Sequence, residues 1–220
     1  MSTDARPDAR PAITLDQQLA LAAAVSRLAL EFAGAFDRAT VERLVHSSYD
    51  QLAGTATVAN FLPLLAERFG RQRLQAMARL EGRHADGRPV VLFLCRHNAG
   101  RSQMALGFFE HHASGRAVAW SGGAEPDADV NPTVVTAMGE RGIDIADAYP
   151  KPWTDEIVRA ADVIVTMGCE NARPHVPGTR YVDWVLDDPQ GRDVEAIRPV
   201  RDEIERRVLV LLRELGLRDR

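Results

Sequence analysis

The sequence predicts an α/β protein, a doubly wound parallel sheet preceded by a small all-α unit of three helices. Three observations predict it. From residue 90 onward, short apolar runs such as Val90–Leu94 and 162–166 alternate with segments of helical spacing, the pattern of a parallel sheet with helices on both faces. Before residue 80 the apolar residues recur only with helical spacing. Between the two lies EGRHADGRP, residues 81 to 89, with the composition of a linker.

These features divide the chain into a tail (1–12) expected to be disordered, a helical bundle (13–82), a linker (83–89) and an α/β domain (90–220). The first helix is expected over about 15–36, opened by the capping box Thr14-Leu15-Asp16-Gln17. The second follows Thr40, with Val41, Leu44, Val45 and Leu52 on its apolar side. The third begins near Val58 or Phe61, where Pro63 is tolerable in a first turn, and runs past Met77. In the α/β part, strand 90–94 leads to helix 102–113, strand 117–120, helix 132–140 and a short helix 155–160. Strand 162–166, a short strand near 181–184 and an amphipathic helix over about 194–215 complete it. Trp153, Tyr181 and Trp184 read as packing residues.

Composition narrows the function. The 220 residues are 45% hydrophobic and 26% charged, as in ordinary globular proteins, and the formal net charge is −4. Neither nucleic acid nor an anionic membrane is a favoured partner. Residues 1–88 carry 11 basic and 10 acidic side chains, a balance of +1 that gives little support to DNA binding. No stretch reaches the roughly 20 apolar residues of a membrane span, and the polar N-terminus is not a signal peptide. With two cysteines and no secretion signal, a reducing cytoplasmic setting is expected. Neither cysteine has a partner at zinc-ligand spacing, so no metal is expected.

The informative stretch is VVLFLCRHNAGRSQMA, residues 90–105. A buried strand ends at Cys95, a helix opens at Ser102, and between them Cys95-Arg96-His97-Asn98-Ala99-Gly100-Arg101 forms a C-x5-R loop. A loop joining a strand end to a helix start can turn several backbone N–H groups inward as an anion nest, reinforced by the helix N-terminus. Gly100 is expected to supply a positive φ. Arg101 is placed to grip a tetrahedral oxyanion with two parallel hydrogen bonds. The nest's dipoles favour the thiolate of Cys95, and Ser102 can donate to it. Asn98 is expected to hold the loop's shape, and His97 reads as a loop residue and not a base. Residues 96–102 are thus the expected oxyanion cradle, and Cys95 its nucleophile, for phosphate or arsenate.

The sequence resembles the arsenate reductases built on the low-molecular-weight protein tyrosine phosphatase fold. The likeness covers roughly residues 89–215 and rests on CRHNAGRSQMA, SGGAEP, NPTVVTAMGERGIDI, PKPWTDE, ADVIVTMGC, PGTRYVDWVLDDPQG and VRDEI. HNAGRSQMA and DWVLDDP lean to the reductase branch. The helical extension resembles one found ahead of some bacterial members, often of actinobacterial type. The resemblance implies that Cys95 attacks As(V), that Arg101 and the loop amides bind the arsenate oxygens, and that Asp188 is the general acid. A carboxyl group beside an anion holds its proton more tightly, which suits that role. Asp187 reads as solvated.

Departures from the family pattern matter. Members with an internal disulfide relay carry a further cysteine just before the proline that is Pro174 here, and this chain has Arg173 there. Two routes remain to finish the reduction. Cys169 attacks the Cys95–arsenic adduct and thioredoxin reduces the resulting disulfide, or an external thiol such as mycothiol or glutathione attacks and a glutaredoxin-type protein completes the cycle. Cys169 equally reads as a small core residue. Some relatives bind potassium beside the loop through a Glu where this chain has Leu106, so no such ion is expected. Two other functions compete. A phosphotyrosine phosphatase would use the same cysteine, but related phosphatases usually carry Tyr where this chain has Gln190. An oxyanion sensor would use the helical unit as readout. Oligomeric state is open.

Overall fold

A computed structural model of the chain describes residues 13–54, 59–83, 86–169 and 174–217. The expected disordered tail, two linker residues and Arg173 lie outside the described residues. The first helix, α1 (Leu15–Glu31), opens with the capping box: Gln17 N donates to Thr14 Oγ1 at 3.3 Å and Thr14 N to Gln17 Oε1 at 3.0 Å. It ends five residues earlier than its apolar pattern. Gly34 takes φ 84 and Asp37 caps the next helix, donating no proton but accepting from Thr40 N at 2.8 Å. Helix α2 (Arg38–Ala53) buries Val41, Leu44, Val45 and Leu52. A short 3₁₀ turn, Ala59–Phe61, leads into α3 (Leu62–Leu80), with Pro63 in its first turn.

The α/β part runs β1 (Val90–Cys95), α4 (Arg101–Ala113), β2 (Val118–Gly123), α5 (Pro132–Gly139), α6 (Asp155–Ala160), β3 (Val163–Met167), β4 (Arg180–Asp183) and α7 (Val194–Glu214). The four strands are all parallel, in the order β2-β1-β3-β4. The chain leaves β1 for one neighbour and returns for the other, so the crevice at the carboxyl end of β1 is a topological switch point. There Cys95 pairs in register with Gly123 on one side and Met167 on the other.

Side chains alternate along β1. Val91, Phe93 and Cys95 join a core with α4, α5 and α7. Val90, Leu92 and Leu94 join a second core that contains Leu21, Leu28, Val45, Phe69 and Leu74 from the three N-terminal helices. These helices therefore cover one face of the sheet together with α6, and the packed interior is continuous between them. Polar ties fix the junction. Arg73 Nε donates to Glu156 at 2.5 Å, Arg79 Nη2 to Asp162 at 2.7 Å, and Arg68 Nη1 to the Asp147 carbonyl at 2.8 Å. Among the described residues no helix is long and apolar enough to cross a membrane.

Candidate active site

The loop from Cys95 to Arg101 is held from outside by its carbonyls. Arg96 O accepts from Glu125 N at 2.9 Å, His97 O from Asp127 N at 3.0 Å, and Ala99 O from Asn131 N at 2.9 Å. Asn98 O accepts from the side chain of Gln103 at 2.8 Å. In a planar trans peptide the next N–H points opposite the carbonyl, so four consecutive amides, 97 to 100, turn inward. One of them, Asn98 N, donates to Cys95 Sγ at 3.2 Å. Ser102 Oγ lies 3.0 Å from the same sulfur and accepts from Asn98 Nδ2 at 2.8 Å. The result is a nest of donors around a buried thiol at the start of α4.

Backbone strain in the loop falls on Asn98 and not on Gly100. Gly100 has φ −135, which corrects the expectation of a positive φ there, whereas Asn98 has φ 50. Asparagine tolerates this left-handed region, and its fully buried side chain locks it: Lys151 N donates to Asn98 Oδ1 at 3.0 Å. Gly100 is needed for close approach instead, since a Cβ there would lie 2.7 Å from Pro189 Cγ. Gly123 is constrained likewise, because its Cβ would stand 2.9 Å from Arg96 O and 3.1 Å from Asn98 N.

Arg101 and Asp188 meet at the cavity that Cys95 also lines. Arg101 Nη2 donates to Asp188 Oδ2 at 2.7 Å, and Asp188 Oδ1 accepts from Gln190 N at 3.1 Å. Arg101's side chain is 8% exposed and that of Asp188 49%, so the guanidinium is fixed and the carboxylate faces the entrance. Cys95, Arg101 and Asp188 line one small cavity together with Asp127, Asn131 and Gln190. His97 Nδ1 lies 3.2 Å from Asp127 Oδ1 at its rim. Arg96 turns outward to Glu125 at 2.9 Å, so only its backbone belongs to the loop. Asp187 is also outside, 3.1 Å from Arg192. Trp184 packs against Phe93 and Tyr181 bonds Pro174 O and Val176 N, both as packing residues.

Cys169 is buried and its Sγ is 3.9 Å from Leu94 O. It packs in the core shared with the N-terminal helices, whereas Cys95 belongs to the core of the other face. Burial pushes its thiol up, and the neighbouring Cys95 adds to this against opposing help from the Met167 backbone and Arg101. Both cysteines are free thiols. Among the described residues no three His, Cys, Asp or Glu side chains form a metal-binding group.

Several supporting residues escaped the sequence reading. Gln103 Nε2 bridges Asn98 O, Asn98 Oδ1 and Tyr149 O, at 2.8, 3.2 and 3.2 Å. Lys151, the only lysine in the chain, is 3% exposed. Its Nζ reaches Ser121 Oγ at 3.3 Å and sits 4.6 Å from the Tyr149 ring centre. Burial first, then the nearby Arg68, pushes the Lys151 ammonium down to about 8, partly opposed by Glu110. The available signals were the rare lysine in PKP and the paired glycines of SGG at a strand end.

The geometry sets a buried thiol among backbone and hydroxyl donors, with the Arg101–Asp188 pair lining the same small cavity. A sequence model described as low molecular weight phosphotyrosine protein phosphatase matches residues 90–219. The chain belongs to this family. A second model, described as a protein-tyrosine-phosphatase-like N-terminal domain, matches residues 21–78, the three-helix unit. Among solved structures similar to this family member is a Corynebacterium glutamicum thioredoxin-dependent arsenate reductase, 40% identical with a TM-score of 0.80, covering 90% of this chain and 96% of that one. Another is described as an arsenate reductase in the phosphate binding state, at 32% identity and a TM-score of 0.52, covering 58% of this chain and 98% of that one. A glutaredoxin arsenate reductase of Synechocystis sp. is 35% identical over 129 residues, 57% of this chain and 98% of its own length.

Proposed function

We propose that this phosphatase-family chain is an arsenate reductase with Cys95 as nucleophile, Arg101 and the 97–100 amides as oxyanion cradle, and Asp188 as general acid. The observation that carries the reading is the buried Cys95 Sγ within reach of Asn98 N and Ser102 Oγ, under a guanidinium already paired with a carboxylate. Arsenate entering the cavity takes the place of Asp188 on Arg101. The Cys95 thiolate bonds to arsenic, and a hydroxide leaves as water with a proton from Asp188. A second thiolate then attacks Cys95 Sγ. The S–S bond forms, the S–As bond breaks, and its electron pair leaves on arsenic, so two thiols are oxidised as As(V) becomes As(III).

The likeness over nine-tenths of the chain to the thioredoxin-dependent enzyme supports Cys169 as that second thiol, with thioredoxin reducing the disulfide. A different observation favours an external thiol, mycothiol or glutathione with a glutaredoxin-type protein: Cys169 is buried in the opposite core with its thiol pushed up. Arsenate-dependent NADPH oxidation with thioredoxin and its reductase, lost in Cys169→Ser, assigns the first route. Turnover that needs the small thiol and ignores Cys169→Ser assigns the second. Hydrolysis of phosphotyrosine at a rate equal to arsenate reduction would overturn the reductase reading, since the cradle itself serves both chemistries.

A further inference from the structure

The N-terminal helices do more than cover the sheet. We infer that α3 positions the catalytic loop through Arg68, which clamps the segment that props Asn98. The inference rests on the reading of the 96–102 loop as an oxyanion cradle.

The physical path is continuous. Arg68 Nη1 donates to Asp147 O at 2.8 Å, and its guanidinium carbon lies 5.0 Å from the centre of the Tyr149 ring. The Lys151 ammonium lies 4.6 Å from the same ring centre, so two cations hold one buried aromatic ring. Both peptide groups of this segment then bear on the loop. Tyr149 O accepts from Gln103, whose amide also bonds Asn98 O, and Lys151 N donates to Asn98 Oδ1. Asn98 is the loop residue with left-handed φ, and it carries both the N–H that reaches Cys95 Sγ and the Nδ2 that reaches Ser102 Oγ. A left-handed residue persists only where its surroundings over-determine it. Here the surroundings are Lys151 N and Gln103, itself held by Tyr149 O, and α3 fixes the 147–149 segment from outside through Arg68.

The neighbouring junction contacts do not share this path. Arg79 ties α3 to Asp162, at the base of β3 and far along the strand from the loop. It is therefore a control for plain loss of interdomain stability. Coupled contacts of this kind shift a distant equilibrium by about twofold to thirtyfold, so about a tenfold effect is expected.

The experiment titrates inorganic phosphate into the full chain by calorimetry, with melting temperatures measured alongside, for wild type, Arg68→Met, Arg68→Lys and Arg79→Met. Arg68→Met is expected to bind phosphate about tenfold more weakly. Arg68→Lys, which keeps a cation but loses the planar fork, falls between it and wild type. Arg79→Met lowers the melting temperature but binds as wild type. Wild-type affinity in Arg68→Met, or equal weakening in Arg79→Met, would overturn the inference. Absence of phosphate binding by the wild type would instead overturn the cradle reading, and this inference with it.

Discussion

Replacing Gly168 by alanine displaces Arg101 without changing any charge. Gly168 has φ +72, where a side chain costs about 1–2 kcal/mol. The smaller entropy of the unfolded chain offsets about 0.4–1 kcal/mol of that. The net loss of about 1 kcal/mol lowers Tm by about 2–4 °C in a chain of this size. The local effect is larger. The new Cβ would stand 2.8 Å from Arg101 Nη1 and 3.5 Å from its Cζ. The guanidinium must retreat by about half an ångström to restore ordinary contact, and it is buried and tied to Asp188. A misplacement of about 1 Å costs on the order of a hundredfold in well-aligned sites. Half that shift predicts about a tenfold loss in phosphate affinity and in kcat/KM for arsenate. Calorimetric titration, turnover and a thermal melt on the same preparation separate the two effects. A lowered Tm with unchanged affinity and turnover would refute the assignment of Arg101 as the oxyanion clamp.

Asp188→Asn removes the proposed proton donor and the carboxylate that pairs with Arg101. Turnover should fall by about a hundredfold or more while phosphate affinity stays equal or improves; unchanged turnover removes Asp188 from the mechanism. Lys151→Met probes the buried ammonium. The folded group titrates near 8 and the unfolded one at 10.5, so between these values the unfolded chain binds more protons. Wild-type stability relative to Lys151→Met should therefore be level below pH 8 and rise above it, by at most about 1.4 kcal/mol per pH unit. Urea unfolding of both proteins at pH 7 and pH 10 checks this, and parallel behaviour at the two pH values would contradict it.

The sheet and the loop could be read because their determinants are local. An apolar run, a cysteine, five residues and an arginine before a helix define the proposed cradle within one stretch, and every strand of the α/β part lies within a few residues of its expected place. Where the reading failed, distant partners decide. Propensity alone gives the left-handed turn to Gly100, yet Lys151 and Gln103 hold Asn98 there, and Lys151 is 53 residues away. The first helix is expected to reach Phe36 because its apolar spacing continues. It stops at Glu31 because the chain must turn at Gly34 to bring α2 alongside. The Arg101–Asp188 pair spans 87 residues, and the proposal of Asp188 as acid rests on family likeness and not on spacing. Lys151 meets Asn98 and Ser121, 53 and 30 residues away, and no periodicity encodes such contacts.

Arsenite released by the purified chain, quantified directly with thioredoxin and its reductase in one series and mycothiol with a glutaredoxin-type partner in another, bears on the account most closely. Wild type should release arsenite in at least one series, and Cys95→Ser in neither. Arsenite from Cys95→Ser, or none from wild type while phosphotyrosine is hydrolysed, would contradict the assignment of Cys95 as the thiol that reduces arsenate.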